Sequence, residues 1–387
     1  MPFVLITSLF FLWGAAHSIL DVLNKHFQLV IPGMNHAHSS MVQVMFYLGY
    51  FVMAIPAGLI IDRRGYRTGV VIGLLLYGLG ALLFWPGAQI MSFEFFLGSL
   101  FIIACGLVFL ETAANPYVTE LGDVETAASR LNLAQSLNGL GCICGPLLGG
   151  LLLFSEDATN ERIALPYIVM GIAALVVAVL FTRVRLPEIK VNTESTPSTQ
   201  PHTLSTLFKN KAFMFGIFAL LSYEVSEISI NSFFINYVSD SGLMDARDAS
   251  VALSFGGLSL FMLGRVLGSL IMQHTGSQKV LRICAIGTFV TTLLVVLNIG
   301  LISFGALVLI YVFESIMFPT IFALSLRGVG SLTKRASSLL MMTPVGGAIG
   351  PLLMGTVADA STMSVAFIVP LVGFANVAAY AFYEKNS

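Results

Sequence analysis

The sequence predicts an all-α membrane protein of twelve transmembrane helices, arranged as two halves of six. Three observations lead there. Of 387 residues, 57% are hydrophobic and only 10% charged, whereas soluble domains run near 25% charged, so an aqueous globular class is excluded. The apolar residues fall into runs of about 20, the length a helix needs to cross a hydrocarbon core. One polar stretch, residues 185–209, is rich in Pro, Ser and Thr; it has the composition of a linker and divides the runs six and six.

In order, the runs cover about residues 3–27, 40–62, 67–86, 92–119, 128–155, 163–184, 211–238, 249–274, 279–299, 303–327, 334–358 and 363–383. The expected organisation is a bundle over 1–184, a cytoplasmic linker over 185–209 and a second bundle over 210–387. The first run continues through Trp13 and past Asp21 with no small-residue cleavage site, so it reads as a retained helix and not a signal peptide. With both termini in the cytoplasm, all but four of the 19 Lys and Arg residues fall on the inner side. The exceptions are Lys25, Arg162 and Arg247 outside and Arg265 within the eighth run. That bias obeys the positive-inside rule and supports an even number of spans. A net charge of −1 offers no basic surface to nucleic acid. The cysteines Cys105, Cys142, Cys144 and Cys284 lie inside apolar runs and read as buried spectators. His26, His36 and His38 are read as a solvated outer loop, too loosely spaced for a metal, and no cofactor is expected.

Four acids stand inside the apolar runs: Asp21, Glu111, Glu227 and Glu314, with Glu224 one turn before Glu227. A charged acid at mid-membrane costs about 2.5–3.5 kcal/mol on insertion scales. Each therefore needs a partner or a use, and a proton or polar-solute pathway is the first candidate. Helical spacing sorts the polar groups onto faces. Trp13, His17 and Asp21 share one; Glu111 and Asn115 share a second; Tyr223, Glu227 and Asn231 a third; Gln135 and Asn138 a fourth. Rings with amide and carboxylate acceptors suit a sugar, whose faces are C–H and whose edge is hydroxyl. Each group also has a plain structural reading. Asp21 pairs with Lys25 at i+4, Glu314 pairs with Arg265, Glu111 and Glu227 bond neighbouring helices, and Trp13 and His17 are core.

Glycine and proline recur within helices, as in CGPLLGG (Cys144–Gly150) and TPVGGAIGP (Thr343–Pro351), the fifth helix of each half. Small residues let membrane helices approach closely, either as packing alone or as a moving contact between bundles. After the second run comes GLIIDRRGYRTG (Gly58–Gly69). A tight turn at Gly65 sets Asp62 beside Arg63, Arg64 and Arg67, a cluster that holds helix ends in one state or serves only as a topological anchor. The motif resembles the loop 2–3 signature of the major facilitator superfamily. In the second half, GSLIMQHTGSQK (Gly268–Lys279) echoes it in part through Gly276 and Lys279.

Four further strings carry a narrower resemblance: FFLWG (Phe10–Gly14), GLVFLETAANPYVTELG (Gly106–Gly122), RLNLAQSLNGLG (Arg130–Gly141) and SIMFPTIFALSLRGVG (Ser315–Gly330). With Asp21, they closely resemble the fucose–galactose–glucose proton symporter family over essentially the whole chain. That resemblance implies a major facilitator fold of two pseudo-symmetric six-helix bundles. It also implies monosaccharide uptake coupled to protons in the cell inner membrane. Position by position, it implies that Asp21 is the proton carrier and that Glu111, in LETAANP, serves sugar binding and coupling. It implies that Gln135 and Asn138 face the sugar and that Glu227, in SEISINSF, stands at the acid of the glucose/galactose members. Trp13, His17, Asn115, Asn231 and Glu314 complete the expected sugar site; Asp62, Arg63, Gly65 and Arg67 form the expected gate. The chain departs from the fucose members at AAHSILD (Ala15–Asp21), where His17, Ser18 and Leu20 replace amides. Glu314 stands where a neutral residue is expected.

The expected activity is import of a monosaccharide with a proton by alternating access, by a chain that works as a monomer in the bilayer and is not an enzyme. One rival is a major facilitator exporter of drugs or other small solutes, which would not need LETAANP. The other is a non-transporting sugar sensor, which would want a soluble output domain. A membrane enzyme would need acids set more closely than Glu156, Asp157 and Glu161. No G-x-x-x-x-G-K-S/T loop is present for an ATP-driven pump.

Overall fold

A backbone in hydrocarbon has no water to bond, so a chain this apolar must satisfy its N–H and C=O groups internally. In the computed structural model it does so as helix. Residues 2–120, 127–154, 161–183, 204–325, 336, 339–340 and 342–383 are described, without the side chains of 2–7, 62, 115–120, 127–136, 161–162, 204–206, 269 and 273. Among the described residues there is no strand.

The spanning helices are α1 (Pro2–Val30), α2 (Met41–Arg64), α3 (Tyr66–Leu82, continued by Phe84–Ile90), α4 (Phe93–Glu120), α5 (Ala127–Leu153) and α6 (Glu161–Arg183). There follow α7 (Lys211–Asp240), α8 (Ala246–Ala252, a π turn at Leu253–Leu258, then Ser259–Thr275) and α9 (Ser277–Leu297). The last are α10 (Leu301–Glu314 and Met317–Ser325), α11 (Gly346–Ala360, after a 3-10 turn at Thr343–Val345) and α12 (Met363–Ala366 and Ile368–Tyr383). Nine of these are long and apolar enough to cross a membrane within the described residues; α1, α5 and α11 complete twelve. The helix α1 runs past the expected end near residue 27, so His26 is not in a loop but inside α1, 4% exposed. A short helix, His36–Ser39, precedes α2.

The chain divides into two compact units. The first comprises Met1–Met34, Ser39–Lys190 and Met244–Ser254; the second comprises Asn35–His38, Val191–Leu243 and Phe255–Ser387. In the first unit α1 lies along α5, and glycine makes the approach possible. A Cβ on Gly14 would stand 2.1 Å from the Asn138 carbonyl oxygen, and one on Gly141 2.2 Å from that of Phe11. The second unit repeats the device between α7 and α11: a Cβ on Gly350 would stand 2.3 Å from the Val225 carbonyl oxygen, and one on Gly346 2.8 Å from that of Leu221. Within the fifth-helix strings, Gly145 and Gly149 face Ser18, Ile19 and Val22 of α1 and Gly346 and Gly350 face α7, while Gly150 faces Ser250 of α8.

The expected turn after α2 is present. Gly65 has φ +83, a backbone region that favours glycine. Beyond it, Arg67 donates from Nε to the Phe181 carbonyl at 3.0 Å and from its guanidinium to the Thr182 carbonyl. These are open carbonyls at the C-terminus of α6, where a cation is favoured. In the second half Gly276 (φ +82) makes the corresponding turn, and Arg282 Nε donates to the Ala381 carbonyl at 3.0 Å near the end of α12.

Two outcomes follow for thermal unfolding in detergent. Gly14→Val must push α1 and α5 apart, since the obstacle is backbone, and should destabilise by about 1–3 kcal/mol or more. Gly58→Ala, with nothing within 4 Å of the added Cβ, should be close to neutral. Arg67→Ala should lower the melting temperature more than Arg63→Ala, whose side chain is exposed; equal effects would show that the α6 carbonyl bonds contribute nothing.

Candidate functional site

In the first unit the expected α1 face is present. Trp13 is half-buried and lies 5.9 Å from Phe10, ring to ring. His17 is half-buried, hydrogen-bonds the Tyr47 hydroxyl of α2 through Nε2, and meets Phe46 and Tyr47 edge-on at 6.0 and 5.7 Å. It is thus held by α2, with aromatic rings on one side. Asp21, one turn further, is 6% exposed. It lies within electrostatic reach of the Tyr167 hydroxyl of α6, whose ring stacks on Phe84 at 3.6 Å.

Glu111 is half-buried in α4, which packs against α1, α2, α3 and α5. On α5, Asn138 donates from Nδ2 to the Phe10 carbonyl of α1 at 3.2 Å, and its Oδ1 accepts from Cys142 Sγ at 3.8 Å. Part of its hydrogen-bonding capacity therefore ties α5 to α1. The side chains of Asn115 and Gln135, and of Asp62 at the expected gate, lie outside the described residues. Arg63 is exposed, while Arg67 is engaged with α6 as above.

In the second unit, α7 and α10 run antiparallel. The ring of Tyr223 lies 6.3 Å from Phe318, and that of Phe234 lies 6.0 Å from Tyr311. This register sets Glu227, half-buried, level with Glu314, which is 0% exposed. Neither carboxyl oxygen of Glu314 has a hydrogen-bond partner among the described residues, and the same holds for Asn231 Oδ1, while the Tyr223 hydroxyl lies toward Glu227. Arg265 of α8 does not pair with Glu314. Its Nε donates to the Ser315 carbonyl at 3.2 Å and its guanidinium lies 4.7 Å over the Phe261 ring, while its charge acts on Glu227. The Ser315 carbonyl is free to accept because α10 is interrupted between Glu314 and Met317. Interrupted helices are where many membrane transporters bind solutes and ions, and freed backbone groups at membrane depth are tolerated where they are buried in protein or line a cavity.

Spacing on single helices does not reveal Tyr47 as the partner of His17, because the contact joins two helices. Nor does it reveal the α10 break or the π turn of α8. Two glycines, Gly256 and Gly257 in SFGG, are the one local sign of the latter. The outer histidines separate in the structure. His36 lies 5.9 Å from the Phe233 ring and 3.9 Å from Asp240, and its Nδ1 is 3.3 Å from Asn236 Nδ2; His38 is exposed.

Residues 3–343 match the Major Facilitator Superfamily. The glucose/galactose transporter of Brucella abortus biovar 1 (strain 9-941) is 36% identical over 392 residues, covering 99% of this chain and 93% of that protein. The L-fucose-proton symporter of Escherichia coli (strain K12) is 33% identical over 412 residues, 100% of this chain and 94% of that protein. Among solved structures, the transporter FucP in the outward conformation superposes with a TM-score of 0.74 at 34% identity, covering 99% of this chain and 98% of that one. With twelve helices matched end to end at this identity, the chain belongs to the major facilitator superfamily, and within it to the family of the glucose/galactose transporters and L-fucose–proton symporters.

Proposed function

We propose that this protein is a proton-coupled monosaccharide importer working by alternating access. It would lie in the cell inner membrane with both termini in the cytoplasm and function as a monomer. The observation that carries the reading is the full-length likeness to relatives named as glucose/galactose transporters and an L-fucose-proton symporter. The buried Asp21 and the half-buried Glu111 supply acids where proton coupling needs them.

The proposed organisation is a six-helix half over residues 1–184, a linker over 185–209 and a six-helix half over 210–387. Asp21 takes a proton from outside. Trp13, His17, Glu111, Asn115, Gln135 and Asn138 of the first half, with Glu227, Asn231 and Glu314 of the second, contact the sugar. Neutralising a buried acid removes the cost of carrying its charge through a state closed to water on both sides, and this ties proton to sugar. Asp62, Arg63, Gly65 and Arg67 bias the inner gate.

Three experiments test this. A panel of labelled monosaccharides in a transport-deficient strain, with external pH recorded, should show one sugar entering with alkalinisation of the medium; efflux without sugar uptake would favour an exporter. Asp21→Asn should abolish accumulation driven by a pH gradient and spare sugar binding, since the amide imitates the protonated acid; wild-type accumulation would remove Asp21 from coupling. Alanine at Glu111 or at Glu227 should weaken sugar binding by one to two decades, as expected for about 1.5–3 kcal/mol per hydrogen bond to a charged group. Unchanged calorimetric affinity in both variants would place the sugar elsewhere.

A further inference from the structure

Among the described residues, Glu314 is a fully buried acid. Its side chain is 0% exposed, and neither carboxyl oxygen has a hydrogen-bond partner among the described residues. An ionised carboxylate in that state is strongly disfavoured, because desolvation is offset by no hydrogen bond. The α7–α10 register brings a second acid, Glu227, to the same level, and the two carboxyls interact electrostatically. The charged and titratable groups around them are few. From α7 come Tyr223 and Glu224; from α8 comes Arg265. Glu224 stands one turn before Glu227 on α7, 7% exposed, with its Cβ beside Gly346 of α11. Between Ile283 and Leu297, α9 carries only the Cys284 thiol; the second piece of α10, Met317–Ser325, carries none, and Tyr311 stands one turn before Glu314 on the same helix.

The charge count is decisive. Among the described residues one cation, Arg265, faces the two acids that stand level with each other, and Glu224 adds no positive charge. Arg265 neutralises one of the two, and its influence falls on Glu227. The remaining acid needs a proton. We propose that Glu314 and Glu227 form a second proton-binding site, lying wholly within the second unit, which holds one proton on Glu314 while Glu227 is balanced by Arg265. The proton passes from water to a Glu314 carboxylate oxygen and returns from it to water; no other bond changes. The break in α10 directly after Glu314 sets this acid at a helix end, where a change in local backbone would couple its exposure to water with loss of the proton. The site takes from the proposed function only the proton as coupling ion, and does not depend on which solute is carried.

The test uses the sugar-free, full-length protein reconstituted in lipid, followed by infrared spectroscopy of its carboxylic-acid stretch as pH is varied. The spectrum of the unmodified protein minus that of Glu314→Gln should show a protonated-carboxyl band at neutral pH, and that band should persist in Asp21→Asn and in Glu111→Gln. In Glu227→Gln the band should titrate by at least about one pH unit away from its wild-type range, the behaviour of two carboxyls that share a site. This second variant keeps the test decisive if Glu314→Gln does not fold. A Glu314→Gln difference spectrum with no protonated-carboxyl band at neutral pH, or a titration unmoved by Glu227→Gln, would overturn the assignment. Because no sugar is present, failure here leaves the importer reading standing, and failure of sugar uptake leaves this site standing.

Discussion

A hydrocarbon surround offers no hydrogen bonds, and the rest of this structure follows from that lack. It makes the backbone helical, and it sends polar side chains to carbonyls on neighbouring helices. Asn138 bonds Phe10, Tyr77 bonds Leu12, Ser226 bonds Pro370 and Tyr237 bonds Val295, each across helices. These bonds need helices close together, and in hydrocarbon close approach comes from small residues and not from burial of apolar surface. Gly14, Gly141, Gly346 and Gly350 provide it. Satisfaction is not complete: among the described residues several buried polar atoms lack a hydrogen-bond partner, and Asn231 Oδ1 and both carboxyl oxygens of Glu314, on α7 and α10, are among them.

The two halves solve the same problems with the same parts. A left-handed glycine turns the chain between the second and third helices of each half, and an arginine from the third helix reaches carbonyls at the end of the sixth. The fifth helix lies along the first on glycines in both. The halves differ in their buried chemistry. The first carries Asp21 and Glu111 on α1 and α4. The second carries Glu227 and Glu314 on α7 and α10, with Arg265 between them in charge. Duplication fixes the frame, and the acids are placed differently on it.

Much of this was legible in the sequence, for identifiable reasons. Run length and composition expose the helices, because the solvent accepts little else. The Gly65 turn was readable because a glycine between two helix ends, followed by arginines, has few other uses. Arg282 was harder: the echo in the second loop points to Lys279, while the carbonyl contact is made one turn later. Faces such as Trp13–His17–Asp21 follow from helical spacing. Partners across helices do not, and so Tyr47 beside His17 went unread, as did the absence of a bond between Arg265 and Glu314. Those depend on which faces meet, a property of three-dimensional packing that periodicity along one helix does not contain.

The π turn at Leu253–Leu258 carries a consequence of its own. A π turn amounts to one extra residue in an α-helix, and each residue turns the helix by about 100°. On one side of it Ser250 and Ser254 belong to the first unit, and the chain passes to the second unit at Phe255. On the other side Gly264 and Gly268 fit against Ser315 and Ile316 of α10, and Arg265 reaches the Ser315 carbonyl. The extra residue sets the faces of α8 before and after it out of regular register. Deleting a single residue here would leave a more regular helix, yet it would turn Gly264, Arg265 and Gly268 by about 100° about the helix axis relative to Ser250 and Ser254. Across related chains, the length of this segment should therefore vary less than the identity of its residues, and a gap in an alignment at this point would mark a change in the chemistry opposite it.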